Sequence, residues 1–305
     1  MMNKTILKEW VDAARPRTLP LSLSSALMGS FMALSFRQFS WSVFILALLT
    51  TVLLQILANL ANDYGDALSG VDNKERIGPK RGLQRGAISL HAMKNAIFVT
   101  IILSVISGIW LILEGLHYRL TFTALIYLLV GLGAILAAIK YTVGRNPYGY
   151  VGWGDFFVFI FFGPVGVAGT YYLHTNAWDT LVCLPSISLG LFSVAVLNIN
   201  NMRDLYTDAS WGKKTIPVLL GHQKAKIYHL FILLFAEVAF FIYVYYRQTS
   251  ILQWLTLLNI PWFALHLIRV FQIKSQQALD PELKKVSMGT IITVLLYGIG
   301  SLWVI

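Results

Sequence analysis

Residues 41–66 read WSVFILALLTTVLLQILANLANDYGD, an apolar run that ends in a cluster of amides and carboxylates. The apolar part has about the length of ~20 residues that an α-helix needs to cross the hydrocarbon core of a bilayer. The polar end begins at Asn59, so it is expected near the membrane surface. Because acidic residues at such a position are costly and usually functional, this stretch predicts a membrane-spanning helix with a chemical site at one end.

The rest of the chain has the same apolar character. Of its 305 residues, 57% are hydrophobic and only 12% are charged, whereas soluble domains carry about 25% charged residues. The segments that are long and apolar enough to span a bilayer are 19–36, 41–62, 93–113, 121–142, 155–173, 180–201, 228–246, 251–272 and 286–305. In the fifth of them, Gly163-Pro164 and Gly166 predict a kink or a close contact between helices. The sequence thus predicts an all-α integral membrane protein of about nine transmembrane helices, with residues 1–305 forming one transmembrane domain.

Lysine and arginine are distributed unevenly between the two sides of these spans. Eighteen of the 24 lie in the N-terminal segment and in the loops on its side, three lie on the opposite side, and three lie near span ends. Since cytoplasmic loops carry the excess of positive charge, the N-terminus and the long loops are predicted to be cytoplasmic. The formal net charge of +10 therefore mainly reflects topology, and the hydropathy excludes a soluble nucleic-acid binder.

Two groups of polar residues lie at the predicted cytoplasmic ends of spans two and six. The first group, in residues 59–72, consists of Asn59, Asn62, Asp63, Asp66 and Asp72. The second group, in residues 198–208, includes Asn200, Asn201, Asp204 and Asp208. At about 100° per residue, positions 59, 62, 63 and 66 fall on one helix face, and positions 200, 201, 204 and 208 do the same. The two helices are four spans apart, which indicates an internal repeat of a four-helix unit.

Carboxylate and amide oxygens are ligands suited to Mg²⁺. Two opposed rows of carboxylates would repel each other and would repel a diphosphate, unless divalent cations lie between them. Metal-bridged binding of a diphosphate is therefore favoured over the simpler interpretation that these are ordinary polar helix ends. The predicted metal-binding and catalytic residues are Asp63, Asp66, Asp204 and Asp208, with Asn59, Asn62 and Asn201 as amide partners and Asp72 as a further candidate.

The two motifs resemble those of the UbiA superfamily of membrane prenyltransferases. Their patterns are Asn-x-x-Asn-Asp-x-x-Asp at 59–66 and Asp-x-x-x-Asp at 204–208, and the likeness covers nearly the whole chain. Residues 15–20, 78–86 and 163–172 are similar to the branch of the superfamily that prenylates 1,4-dihydroxy-2-naphthoate in menaquinone biosynthesis. Segment 141–147 departs from the glycine- and proline-rich pattern of the family.

The resemblance implies helices around a central cavity and a Mg²⁺-dependent transfer of a polyprenyl group. The donor would be a polyprenyl diphosphate whose tail lies between helices open to membrane lipid. The acceptor would be 1,4-dihydroxy-2-naphthoate, which loses its carboxylate as CO₂ to give demethylmenaquinol, at the cytoplasmic side of a bacterial plasma membrane. The residues predicted to neutralise the diphosphate or contact a substrate are Lys80, Arg81, Arg85, Lys140, Tyr141 and Arg145.

Two other functions stay open from the sequence. A prenyltransferase for another aromatic acceptor, such as 4-hydroxybenzoate, would carry the same motifs, because acceptor choice depends on pocket shape. A cation-coupled transporter would also use carboxylates, but on broken helices near the middle of the membrane, whereas the acids here cluster at one face. The stretch Gly212-Lys213-Lys214-Thr215 lacks the spacing of a phosphate-binding loop and is predicted to be a basic cap near the second motif.

Overall fold

In the computed structural model, the chain is described over residues 4–70 and 81–303. These residues are mostly helical and contain no β-strand. The α-helices are α1 (Lys4–Ala14), α2 (Leu19–Ser35), α3 (Trp41–Ser69), α4 (Leu90–Gly115), α5 (Phe122–Lys140), α6 (Gly154–Ile160), α7 (Thr170–Thr175), α8 (Cys183–Arg203), α9 (Leu205–Ser210), α10 (Ile216–Leu220), α11 (His222–Arg247), α12 (Ile260–Gln272) and α13 (Asp280–Ser301). Short 3₁₀ or π segments adjoin them at Pro16–Thr18, Tyr148–Tyr150, Phe161–Gly169, Thr180–Val182, Ile251–Asn259 and Gln277–Leu279.

Nine helical segments of the described residues are long and apolar enough to cross a membrane. They are Ile6–Ser35, Trp41–Ser69, Leu90–Gly115, Phe122–Lys140, Gly154–Thr175, Thr180–Arg203, His222–Arg247, Ile251–Gln272 and Gln277–Ser301. Each overlaps one predicted span, so the predicted all-α, multi-pass membrane protein is confirmed. The largest difference is at the first span, which begins at Ile6 because α1 continues into α2 through the turn Pro16–Thr18.

Helices α4 and α5 direct large apolar side chains outward. Phe98 of α4 is 63% exposed and Leu129 of α5 is 60% exposed. Contiguous apolar surface of this kind is unfavourable in water and favourable in contact with lipid tails. These two helices therefore present a lipid-facing side of the molecule.

The central packing is formed by α2, α8, α11 and α13. Met28 and Met32 of α2 are fully buried in one cluster with Tyr243 of α11 and Tyr297 of α13. Leu189 of α8 belongs to the same cluster. Helix α8, which leads into the second acidic motif, is thereby fixed between its neighbours.

The fifth span is interrupted by the π-helical segment Phe161–Gly169, which contains a proline. Proline cannot donate the backbone hydrogen bond that continues an α-helix, and π segments often mark such interruptions. A Cβ atom on Gly163 would lie 2.4 Å from the carbonyl oxygen of Ser186 in α8, and one on Gly166 would lie 2.7 Å from Cβ of Ser25 in α2. The predicted close contact is confirmed, since only glycine lets these backbones approach so closely.

A cavity of about 460 Å³ lies between α2, α3, α4, α5, the fifth span and α8. It begins at the end of the bundle where α3 and α8 end, here called the acid end. Along α3 its lining extends from Asp66 back to Ala47, a distance of about 28 Å for nineteen helical residues. The fold thus contains the central cavity that the resemblance implies.

Candidate functional site

The first acidic motif lies on the last turns of α3. Its side chains that line the cavity are Asn59, Asn62 and Asp66. Asp63 is not among the lining residues, although it lies only about 40° round the helix from Asn59. The buried carboxylate of Asp63 contacts Arg15, and its Oδ1 lies 2.7 Å from Nη1 of Arg81. The motif thus directs one carboxylate into the cavity and uses the other to hold two arginines.

The second motif lies where α8 ends. Its side chains that line the cavity are Asn200, Asn201, Asp204 and Asp208. The four residues share one cavity as their spacing predicts, but the helix is interrupted at Asp204, because α8 ends at Arg203 and α9 begins at Leu205. Asp208 still lies one turn beyond Asp204, since its backbone N–H donates to the carbonyl oxygen of Asp204 at 2.7 Å. Both carboxylates therefore reach the cavity although the helix is broken between them.

Lys213 connects the two motifs across the cavity. Its Nζ atom lies 3.9 Å from Oδ1 of Asp66 and 3.3 Å from Oδ1 of Asp208. Two helices that are four spans apart in sequence therefore place carboxylates beside the same ammonium group. Within the basic cap predicted at residues 212–215, Lys213 is the residue shown beside these acids.

Of the cationic residues predicted in the loop after α3, Arg81 reaches the acids and Arg85 does not. Nη1 of Arg81 lies 3.1 Å from Oδ2 of Asp66, in addition to its contact with Asp63. Arg85 forms an ion pair with Glu9 of α1. The loop is thereby joined to α3 through Arg81 and to α1 through Arg85.

The remaining predicted residues divide into three cases. Tyr141 lines the cavity. Lys140 and Arg145 are exposed, and neither lines the cavity. Asp72 and Lys80 lie outside the described residues.

Tyr150 belongs to the site although the sequence analysis missed it. Its hydroxyl donates to Oδ1 of Asp66 at 2.7 Å, and its ring centroid lies 4.4 Å from Nζ of Lys213. No local motif distinguishes it from the neighbouring tyrosines. The aromatic side chains that line the cavity are Tyr127, Tyr141, Tyr148, Tyr150, Phe157, Phe161, Phe162 and Trp211.

Burial changes the acidity of Asp208, which lies in α9 beyond the membrane-spanning segments. Desolvation is the largest effect and raises its pKa to about 6, while the charge of Lys213 lowers it and nearby Asp204 raises it. The ionised form of a buried carboxylate is costly unless a cation compensates for the lost water. The site in its metal-free form therefore favours binding of additional positive charge.

The oxygen donors at the acid end fit Mg²⁺. No group of three or more His, Cys, Asp or Glu side chains within the described ranges is close enough to hold a metal ion by itself. Mg²⁺ does not need such a cage, because it usually binds through one or two carboxylates, water and the phosphates of a substrate. Asp66, Asp204 and Asp208 line one cavity at the same end, so they are suited to hold Mg²⁺ jointly with a phosphate ligand.

Away from the acid end, the cavity is mainly apolar. Its walls there are formed by residues such as Ala47, Leu111, Ile112, Val130 and Leu173. Gly108, Gly131 and Gly169 also line it, and the absence of side chains at these positions widens it. One end of the cavity is thus suited to an anionic head group and the rest to a hydrocarbon chain.

Comparison with known sequences identifies a family over most of the chain. Residues 22–289 match the UbiA prenyltransferase family. The 1,4-dihydroxy-2-naphthoate octaprenyltransferase of Haemophilus influenzae is 43% identical, over 99% of this chain and 98% of the relative. The enzyme of the same name from Escherichia coli K12 is 40% identical, over 95% of this chain and 94% of the relative.

Comparison with solved structures gives the same fold. A UbiA homologue from Archaeoglobus fulgidus, whose structure contains DMAPP and Mg²⁺, superposes with a TM-score of 0.64. The match covers 97% of this chain and all of the homologue, at 15% sequence identity. At that identity, the likeness concerns the fold.

Proposed function

The chain belongs to the UbiA prenyltransferase family. We propose that it transfers a polyprenyl group from polyprenyl diphosphate to 1,4-dihydroxy-2-naphthoate. The acceptor loses its carboxylate as CO₂, and the product is demethylmenaquinol, an intermediate of menaquinone biosynthesis. The acceptor follows from relatives of that name that are 40% and 43% identical over nearly their whole length. The enzyme is a membrane prenyltransferase, and Mg²⁺ is its cofactor.

The observation that most supports the mechanism is the meeting of two acidic motifs at one end of an otherwise apolar cavity. We propose that Asp66, Asp204 and Asp208 hold Mg²⁺, with Asn59, Asn62 and Asn201 as amide partners. When bound, Mg²⁺ neutralises the diphosphate and stabilises the charge that develops as the allylic C–O bond breaks. Asp63 as a further ligand stays a prediction, since its carboxylate pairs with Arg15 and Arg81, which line the cavity while Asp63 itself does not.

The chain's own cations and aromatic rings supply the rest of the chemistry. Lys213 and Arg81 lie against the acids, where they are placed to bind the oxygens of the leaving diphosphate. Tyr141 and Tyr148 line the same part of the cavity, and their rings would stabilise an allylic cation by about 0.5–2 kcal/mol each when well placed. Lys80, Asp72, Arg85, Lys140 and Arg145 remain proposed substrate contacts.

We also propose the orientation and the domain organisation. The excess of lysine and arginine at the acid end favours a cytoplasmic active site in a bacterial plasma membrane. Residues 1–305 would form one domain with an internal repeat centred on the two motifs. Accessibility of single cysteines introduced into the exposed loops, measured in intact cells, tests this orientation.

The acceptor is tested by incubating membranes that contain the protein with labelled polyprenyl diphosphate and each of two aromatic acids. We expect Mg²⁺-dependent product with 1,4-dihydroxy-2-naphthoate and none with 4-hydroxybenzoate. Product with 4-hydroxybenzoate alone would assign the other acceptor. Membranes without the protein provide the background.

A further inference from the structure

The end of α8 carries a buried arginine that no part of the proposed mechanism uses. Arg203 is only 3% exposed. Its Nε donates to Oδ1 of Asp204 at 2.9 Å, and its Nη2 donates to Oδ2 of the same carboxylate at 2.7 Å. Such two-point contact between guanidinium and carboxylate fixes orientation as well as charge.

This contact depends on the break in the helix. Side chains of consecutive residues in a continuous α-helix point about 100° apart and do not face each other. Asp204 has φ −95° and ψ 10°, and it separates α8 from α9. The break therefore allows Arg203 to form both hydrogen bonds with Asp204, the residue that directly follows it, while Asp204 also lines the cavity.

The guanidinium is itself held from behind by the last helix. Nη1 of Arg203 donates to Oδ1 of Asp280 at 2.7 Å, and Asp280 is the first residue of α13. The preceding residue, Leu279, is fully buried in a cluster with Ile199 and Met202 of α8, which fixes the start of α13 beside the end of α8.

Arg203 also contacts a second cavity-lining side chain. Its Nη2 donates to Oδ1 of Asn200 at 2.9 Å. Four hydrogen bonds thus occupy a guanidinium that has five N–H groups. A buried charge with so many partners is held firmly in place, unlike the single ammonium of Lys213 at 3.3 Å and 3.9 Å from its acids.

We propose that Arg203 is a positioning residue that orients the Asp204 carboxylate for Mg²⁺ and diphosphate, and that Asp280 acts through Arg203 by holding its guanidinium. This inference rests on the proposed function, because it gives Asp204 a role in binding the metal. A carboxylate oxygen that accepts one hydrogen bond keeps a further lone pair for another ligand. Asp204 can therefore accept both hydrogen bonds from Arg203 and still bind a cation. The orientation of Asp204 in the second motif would then depend on Asp280 of α13 as well as on the residues of α8.

The test compares Asp280→Ala with a matched control, Asp179→Ala. Both aspartates begin a helical segment and pair with an arginine from another helix, since Asp179 precedes Thr180–Val182 and lies 2.8 Å from Nη2 of Arg247. Asp179 lies at the opposite end of α8 from the acids. Asp280 is 44% exposed, so its replacement is expected to leave the fold intact.

The readout is the Mg²⁺ concentration that gives half of the rise in unfolding temperature, measured with a fixed excess of inorganic pyrophosphate. We expect Asp280→Ala to need about tenfold more Mg²⁺ than the unmodified protein, and Asp179→Ala to need the same amount. The half-saturating Mg²⁺ for prenyl transfer should rise in parallel, with little change in the KM for the naphthoate. Any loss of stability without Mg²⁺ should be no larger in Asp280→Ala, because Asp179 is only 16% exposed and also accepts a hydrogen bond from the backbone N–H of Leu181.

Arg203→Lys keeps the charge but loses the two-point contact, so we expect it to raise the Mg²⁺ requirement at least as much. Adding Asp280→Ala to Arg203→Lys should have little further effect, because Asp280 acts through the arginine. A Mg²⁺ requirement within twofold of the unmodified protein in either single variant would overturn the inference. If the unmodified protein shows no Mg²⁺-dependent prenylation, the proposed function itself fails, which is a separate outcome.

Discussion

Asp63 and Asp66 belong to the same motif, but their surroundings give them different tasks. Asp66 lines the cavity and contacts Arg81, Lys213 and Tyr150, whereas Asp63 is outside the lining. We expect Asp66→Asn to lower Mg²⁺-dependent prenyl transfer by at least about a hundredfold, because it removes charge that binds the metal. The unfolding temperature without Mg²⁺ should fall less than in Asp63→Asn, because Asp63 still pairs with Arg81 and Asp208 still lies beside Lys213.

Asp63→Asn should lower stability more, and Mg²⁺-dependent activity less, than Asp66→Asn does. The carboxylate of Asp63 pairs with Arg15 and Arg81, whose side chains are 19% and 9% exposed, so replacing it removes one buried ion-pair partner from each of two arginines. We expect a loss of about 3 kcal/mol in the free energy of unfolding, with a smaller effect on the half-saturating Mg²⁺ than Asp66→Asn causes. Thermal unfolding in detergent and Mg²⁺ titration of activity measure the two effects. Equal weakening of Mg²⁺ affinity in both variants would instead identify Asp63 as a ligand.

The raised pKa of Asp208 gives the site a pH dependence. In the metal-free protein this pKa is about 6, so below pH 6 a proton competes with Mg²⁺ for the carboxylate. The half-saturating Mg²⁺ should then rise by up to about tenfold per pH unit below 6, and excess Mg²⁺ should restore the rate. Above pH 6 this group contributes no further change.

Lys213→Ala provides the comparison for that pH dependence. The charge of Lys213 lowers the pKa of Asp208, so removing Lys213 should raise this pKa. The rise in half-saturating Mg²⁺ at low pH, here called the acid limb, should then begin at a higher pH. Because both proteins are measured with the same substrates, ionisation of the free diphosphate affects both titrations equally. An acid limb at an unchanged pH would exclude Asp208 as its source.

At the scale of the elements, Gly65 determines how closely α3 approaches the segment after α5. A Cβ atom at this position would lie 2.6 Å from Oγ1 of Thr142 and 2.7 Å from its carbonyl oxygen. The Thr142 hydroxyl also donates to the carbonyl oxygen of Ala61 at 3.1 Å. We therefore expect Gly65→Ala to cost about 1–3 kcal/mol in stability and to reduce activity by displacing the adjacent Asp66.

Gly133→Ala is the control for this prediction. A Cβ atom at Gly133 of α5 would meet nothing within 4 Å, and Gly133 is not among the cavity-lining residues. This variant should keep its stability, because alanine favours a helix over glycine. If the two alanine variants have the same unfolding temperature and activity, the close contact of α3 with Thr142 is not important.

The sequence predicts elements better than it predicts contacts between them. Hydropathy is a local property, so each span could be placed from its own residues. The break at Asp204 could not, because helical periodicity continues through it. Asp280, which pairs with the adjacent Arg203, lies 76 residues further along the chain than Asp204. The contact of Tyr150 with Asp66 and the pairing of Asp63 with Arg15 and Arg81 likewise involve residues from outside α3, which the pattern of one helix does not contain.

At the scale of the whole molecule, polarity changes along a single cavity. The cavity lining extends about 28 Å along α3. The acids and their cations occupy one end of it, and mainly apolar residues and glycines line the remainder. A prenyl diphosphate has the same division into a charged head and an apolar chain. The head group therefore determines where the substrate binds, and the depth of the apolar part limits how long a chain fits inside.

This arrangement predicts that a side chain placed in the apolar part changes chain-length preference without affecting the acid end. Gly131 of α5 lines the cavity and has open space at its Cβ position, about 15 Å along the helix from Tyr141. We expect Gly131→Phe to lower the rate with octaprenyl diphosphate about tenfold or more relative to the rate with geranyl diphosphate. The phenylalanine ring would displace part of the long prenyl chain, which would lose about as much apolar contact with the cavity wall as one buried side chain makes. Gly133→Phe, two residues further along and outside the lining, should leave the ratio unchanged, and the half-saturating Mg²⁺ should be the same in both variants. Equal losses with the short and the long donor would show that the chain leaves the cavity before it reaches Gly131.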